Sequence, residues 1–375
     1  MVPNKNVIRQ IIKRARAKST PLEPKSLAEI DLPEDLKMFK GETFLIPNTN
    51  LNEDIKSLIF CTDKNIKLLQ ESTIWIMDGT FQSCPKLFMQ LYSIHGTVGN
   101  GNNKRIVPLV YALLPRKTQE CYTHFLTELK RYGQSLCNEE SFAPQVVMTD
   151  FEIAVINSVR SVFPGTYHKT CLFHLGQNIW RRVQEFGLQN RYHTDGEFSL
   201  KIRHLIALAY LPPAEIPDVF NILKEKILPS DAAAITEWFE INYVRGIMTS
   251  RGHSSENRVI IRTTPPLFPP DLWSVHFNYE NDLPSSQNSV EGWHRRWNAL
   301  LDRKKLGVYA TIREIQKEQA ANNLLVEKIE AGIPKTPPKK KKRQQQEAIS
   351  RFVDQRNNME VLKFLKGIAS NIFYL

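Results

Sequence analysis

Three carboxylates stand where a negative charge could do chemistry. Asp78 follows the apolar run Thr73–Met77 in Met77-Asp78-Gly79-Thr80-Phe81. It reads either as a turn residue, because Asp-Gly is a preferred hairpin pair, or as a carboxylate on a central strand, costly to bury unless it meets a cation. Asp150 ends Val146-Val147-Met148-Thr149-Asp150. It is a natural N-cap for the helix expected from Phe151, and it also sits at the carboxyl end of a strand, where α/β sheets gather their sites. Glu291 lies in Asn288-Ser289-Val290-Glu291-Gly292-Trp293-His294-Arg295. It fits a capping box with Asn288, an i,i+4 pair with Arg295, or a ligand position. Taken as a set, the three can hold two Mg²⁺ or Mn²⁺ ions roughly 3.5–4 Å apart, which activate the attacking oxygen and stabilise the leaving oxygen of a phosphodiester. Cys171 and His174 form a Cys-x-x-His pair with His168 just before it. A structural zinc site normally takes four ligands, and no nearby Cys or His pair supplies the others. Zinc is therefore not expected, and the pair reads as lining a site, starting a helix or packing in a core.

Elements must bring these residues together. Thr73–Met77, Phe88–His95 and Ile106–Leu114 read as strands, the last two joined by the turn-rich Gly99–Asn103. Helical spacing over 122–132, a strand at 146–148, a helix over 151–162 and a strand from 167 follow. That order fits a ribonuclease-H-like mixed α/β sheet. From about Gln177 to Met248 helical periodicity dominates, as in Phe198, Ile202, Leu205, Ile206 and Ala209, and an all-α insertion is expected. Residues 251–287 read as irregular. Helix resumes at Asn288, with Trp293, Trp297 and Leu300 as its core stripe, and again over 310–331. The boundaries expected are 1–50 for a basic helix and proline-containing linker, 51–176 for the first part of the core, 177–287 for the insertion and connection, 288–331 for the completing helices, 332–347 for a basic disordered tail, and 348–375 for a C-terminal helix.

Charge narrows the partners. The chain has 375 residues, 50 basic and 39 acidic. Twelve of the basic residues lie in two acid-free stretches, 1–18 and 335–343; without them 38 basic residues face 39 acidic ones. The basic excess is thus local, and it suits nucleic acid or a receptor for basic peptides. Lys339, Lys340, Lys341, Lys342 and Arg343, after Pro337-Pro338, are expected to form a nuclear localisation signal read by an import receptor. Five cysteines without a CxxC pair argue against a disulfide scaffold, and no apolar run approaches the ~20 residues of a membrane helix. The sequence excludes neither a homo-oligomer nor a monomer.

The segments Trp75–Phe81, Val107–Pro115, Met148–Glu152, Cys171–Asn178 and Asn288–His294, in that order, resemble the transposase domain of Mutator-like elements. The resemblance implies a DDE-type enzyme that cuts and joins DNA, with element ends and target DNA as partners, two Mg²⁺ or Mn²⁺ ions, and a helical insertion between the second Asp and the Glu. It places the catalytic, metal-binding roles on Asp78, Asp150 and Glu291, the last two 141 residues apart. Glu256, in Ser254-Ser255-Glu256-Asn257, has a poorer context. Members of the family often carry an N-terminal Cys/His finger, which nothing before Cys61 here could build. The alternative is a host-adopted, non-catalytic DNA-binding or regulatory protein that keeps the transposase fold.

Overall fold

The computed structural model describes residues 22–47, 55–137, 141–253, 259–281, 283–301, 306–337 and 340–372, together with residues 4, 7, 10 and 11. Most of the expected N-terminal basic helix, Glu256 and Lys339 lie outside the described residues. A single-turn helix α1 (Glu34–Lys37) precedes a small hairpin of β1 (Met38–Phe39) and β2 (Glu42–Thr43). Then come β3 (Leu58–Phe60), α2 (Asp63–Glu71), β4 (Ile74–Thr80), β5 (Gln90–Val98) and β6 (Arg105–Leu114). Helix α3 (Gln119–Cys137), β7 (Val146–Thr149), α4 (Ile153–Val162) and β8 (Tyr167–Thr170) follow. A helical stretch comprises α5 (Leu172–Glu185), α6 (Gln189–Thr194), α7 (Gly196–Ala207), α8 (Ile216–Lys226) and α9 (Ala233–Phe239). A hairpin of β9 (Ile247–His253) and β10 (Val259–Thr264) comes next, then α10 (Pro270–Trp273), α11 (His276–Glu280), α12 (Asn288–Leu301), α13 (Val308–Glu330), α14 (Lys340–Asp354) and α15 (Val361–Asn371).

The main sheet is six-stranded and mixed, in the order β3-β6-β5-β4-β7-β8. The β3–β6, β6–β5 and β5–β4 pairs are antiparallel, whereas β7 and β8 run parallel. Antiparallel neighbours need only a short turn, and Gly99–Asn103 provides it between β5 and β6. Gly99 takes φ +86°, which a side chain resists, and a Cβ there would also meet Ile329. The parallel β7–β8 pair needs a crossover, and α4 supplies it. The chain divides into two compact units: residues 1–144, 157–164 and 292–333, and residues 145–156, 165–291 and 334–375.

In the first unit, Ile74, Trp75, Ile76 and Met77 of β4 are completely buried. Each such side chain contributes about 1.5–3 kcal/mol relative to exposure, which fixes the strand's register. A second cluster gathers Phe44, Phe60, Tyr111, Leu113 and Ile312 with Trp293 and Trp297 of α12. The two tryptophan rings stack at 5.6 Å. Leu300, expected in this stripe, is 58% exposed, and Leu301 is buried in its place. The stripe therefore advances by i, i+4 and i+8, which keeps it on the face that Trp293 and Trp297 define.

The second unit is largely helical. Its core joins Ile202, Leu205 and Ile206 of α7, Phe220 of α8, Phe239 of α9 and Phe364, Leu365 and Ile368 of α15. Asp195 caps α7 by accepting the Phe198 N–H at 2.9 Å. Two departures from the sequence reading belong here. The region expected to be all-α and then irregular contains the β9–β10 hairpin, built from β-branched residues interrupted by polar ones, too short and too mixed to show a period. The basic tail expected to lack structure is helical from Lys340 to Asp354, with Ile349 buried in the same core. No described helix is long and apolar enough to cross a membrane.

Candidate functional site

Asp78 lies inside β4, opposite Ser93 of β5, and is not in a turn. Its backbone is committed to the ladder, and its side chain is only 11% exposed. Oδ1 accepts the Gly79 N–H at 2.8 Å, and Oδ2 lies 3.2 Å from Nδ1 of His294 on α12. The other ring nitrogen of His294 is 3.4 Å from Ser93 Oγ, which also lies 2.9 Å from His95 Nε2. Burial, and after it the neighbouring His294, push His95 well below the ordinary imidazole range. The Asp78 carboxylate is thus flanked by a histidine whose far side is tied to the same β5 strand. A Cβ on Gly79 would run into the Gln90 side chain, so this corner accepts nothing larger than glycine without movement. Farther along α12, Asn298 Oδ1 accepts from Thr80 Oγ1 at 3.1 Å and from Ser83 Oγ at 2.6 Å.

In the second unit, Asp150 follows β7, and its Oδ1 accepts the Glu152 N–H at 3.1 Å. Helix α4 begins only at Ile153, so Asp150 organises the turn ahead of the helix and does not cap its first residue. The preceding Thr149 donates its hydroxyl to the Asp150 carbonyl at 2.8 Å and lies 2.9 Å from His168 Nε2.

Cys171 extends the β7–β8 register by donating its N–H to Thr149 O, then acts as the N-cap residue of α5. One helical turn later comes His174. Ligand atoms of Cys171, His174 and Glu291 all lie within 4.8 Å of one another. Gln287, completely buried just ahead of α12, ties this cluster down. Its backbone N–H donates to Cys171 Sγ at 3.2 Å, and its side-chain amide donates to Met148 O of β7 at 3.2 Å. Burial pushes the Cys171 thiol up to about 12, against backbone N–H groups that favour the thiolate. Asp150 is not a member of this cluster.

Residues 74–178 match the family model described as the MULE transposase domain. The chain carries a MULE transposase domain. No curated protein matches the chain. The MULE domain, as matched, runs from the first residue of β4 into α5 and includes Asp78, Asp150, Cys171 and His174; Glu291 and His294 lie beyond it. Four of the five motifs that carry the resemblance, Trp75–Phe81, Val107–Pro115, Met148–Glu152 and Cys171–Asn178, fall within this match, and Asn288–His294 lies outside it.

Sequence reasoning missed three residues around the conspicuous carboxylates. His294 was visible as a histidine one turn after Glu291 on the same helix. Ser93 and Gln287 carried no signal, because a strand serine and a pre-helix glutamine are ordinary until their partners are known. Among the expected localisation residues, Lys340, Lys341, Lys342 and Arg343 form the exposed first turn of α14.

Proposed function

We propose that this chain is a DDE-type DNA transposase in which Asp78, Asp150 and Glu291 are the metal-binding carboxylates. The observation that carries the reading is Asp78 itself. A carboxylate on a buried central strand of the matched domain is expensive unless charge-assisted contacts or a cation offset it. The donor set fits Mg²⁺ or Mn²⁺, because all three residues offer hard oxygen ligands. Asp78 accepts one backbone N–H and one histidine contact, and a carboxylate with about four lone-pair sites retains capacity for a cation. When bound, such ions activate the attacking oxygen and stabilise the leaving oxygen of a phosphodiester. The protein's own part is positional. Strand β4 fixes Asp78, the turn before α4 fixes Asp150, and α12 carries Glu291. His294 holds the Asp78 carboxylate in one orientation. Element ends and target DNA are the substrates, and the joining step distinguishes a transposase from a nuclease that only cuts.

The test uses purified protein, Mg²⁺ or Mn²⁺, and DNA carrying the ends of the proposed element. Asp78→Asn, Asp150→Asn and Glu291→Gln should each lower strand joining by about 100-fold or more while DNA binding is largely kept. Unchanged joining in Asp78→Asn would end the proposal.

A further inference from the structure

We infer that Cys171, His174 and Glu291 form a binding site for one thiophilic divalent ion, of which zinc is the natural occupant. The sequence alone argued against zinc because Cys-x-x-His supplies only two ligands. Folding supplies the third from α12, so that sulfur, nitrogen and oxygen donors lie within 4.8 Å of one another. Metal–ligand distances of about 2.0–2.3 Å imply ligand separations of roughly 3.3–3.7 Å in a tetrahedral zinc centre, so shifts of about an ångström close the set. A mixed Cys/His/Glu set suits zinc far better than Mg²⁺, which requires hard oxygen ligands.

The surroundings support the assignment independently of the count. Cys171 is buried, yet its sulfur accepts a backbone hydrogen bond from Gln287, the outer contact expected around a ligating thiolate. Gln287 is locked in turn to Met148 O, so the sulfur and the start of α12 are held together before any ion arrives. His174 and Glu291 are partly buried. Charge also balances: a thiolate and a carboxylate offset the two positive charges while His174 stays neutral. Binding breaks the S–H bond of Cys171, forms the sulfur–metal bond and releases the proton to solvent. Three protein ligands leave the fourth position for water or a substrate oxygen.

The site shares only Glu291 with the proposed carboxylate set. A carboxylate has two oxygens, so Glu291 can serve this ion through one and a catalytic ion through the other. Metal binding is read on the protein alone, without DNA, so its failure is separable from failure of the transposase reading.

The full chain, stripped with chelator and dialysed against Zn²⁺, should retain one equivalent by elemental analysis. Co²⁺ in place of Zn²⁺ should give a thiolate-to-metal charge-transfer band. Loss of an outer-shell partner costs about 10–100-fold in metal affinity, so loss of a direct ligand should cost roughly 100-fold or more. Cys171→Ser should abolish the band. His174→Ala and Glu291→Gln should each weaken zinc binding by that factor, with circular dichroism unchanged. Cys84→Ser should leave both the band and the affinity intact. No retained zinc in the folded wild type, a band that survives Cys171→Ser, or full affinity in Glu291→Gln would overturn the assignment.

Discussion

At the residue scale, the contact between His294 and Asp78 is the most consequential in the first unit. Nδ1 of His294 lies 3.2 Å from Oδ2, and both side chains are nearly buried. Such a histidine acts as a positioning residue, because it fixes which oxygen of the carboxylate is presented and in which direction. His294→Ala should therefore lower the rate of strand joining by about 10-fold with little change in DNA affinity, and should raise the Mg²⁺ concentration needed for half-maximal rate. His294→Asn, which restores a donor, should recover part of the loss. Titrating metal against initial rate in the three proteins checks this. Equal metal dependence in all three would show that His294 only packs.

At the element scale, α12 is fastened to α13 by one buried carboxylate. Glu318 accepts the indole N–H of Trp293 at 2.7 Å and a guanidinium hydrogen bond from Arg296 at 2.9 Å. Glu318→Leu would leave the Trp293 N–H without its partner in a buried place, and Arg296, half-exposed, would turn to solvent. The expected loss is about 2 kcal/mol, measured as a shift in the urea midpoint with an unchanged slope. Helix α7 offers a second test. His204 is buried, its Nδ1–H donates to Leu200 O at 2.8 Å, and burial holds its pKa below 6.5. Below pH 6.5 the unfolded chain takes up a proton that the folded one resists. Its stabilising contribution is therefore complete above pH 6.5 and falls as the pH drops toward the folded value. The melting temperature should decline between pH 7 and pH 5, and less steeply in His204→Leu.

The same scale shows what the sequence could reveal. Strands β4 to β8 and α12 were legible because their apolar runs are long or strongly periodic and their turns carry glycine and asparagine. The β9–β10 hairpin was not, since short strands with alternating charges and hydroxyls carry no dominant period. The individual carboxylates at 78, 150 and 291 could be picked out, but not their neighbours. That Glu291 meets Cys171 and His174 depends on contacts across more than a hundred residues, which no local spacing encodes.

At the scale of the whole molecule, charge is concentrated and not spread. Lys340–Arg343 begin α14 with four cations at the positive end of its dipole, each costing about 0.3–1 kcal/mol. That first turn is therefore weakened, and we propose that it unwinds into an acidic receptor groove as a nuclear localisation signal. Replacing the four with alanine should leave a fluorescent fusion largely cytoplasmic; an unchanged nuclear signal would reject the role. If the residues instead grip DNA, the slope of log affinity against log salt should shrink by up to roughly 3–4, because each neutralised phosphate contributes about 0.9.

The interleaving of the two units has a consequence in time. The first unit is not complete until residue 333 has been made, although its sheet strands β3 to β6 are finished by residue 114. At about 5–20 residues per second, a ribosome takes roughly 10–40 s to travel from residue 144 to residue 333. For most of that interval the apolar surface around Phe44, Phe60 and Tyr111 lacks Trp293, Trp297 and Ile312. The nascent chain must therefore carry an open hydrophobic face for tens of seconds, which makes it a natural client for chaperones that shield such surfaces during synthesis.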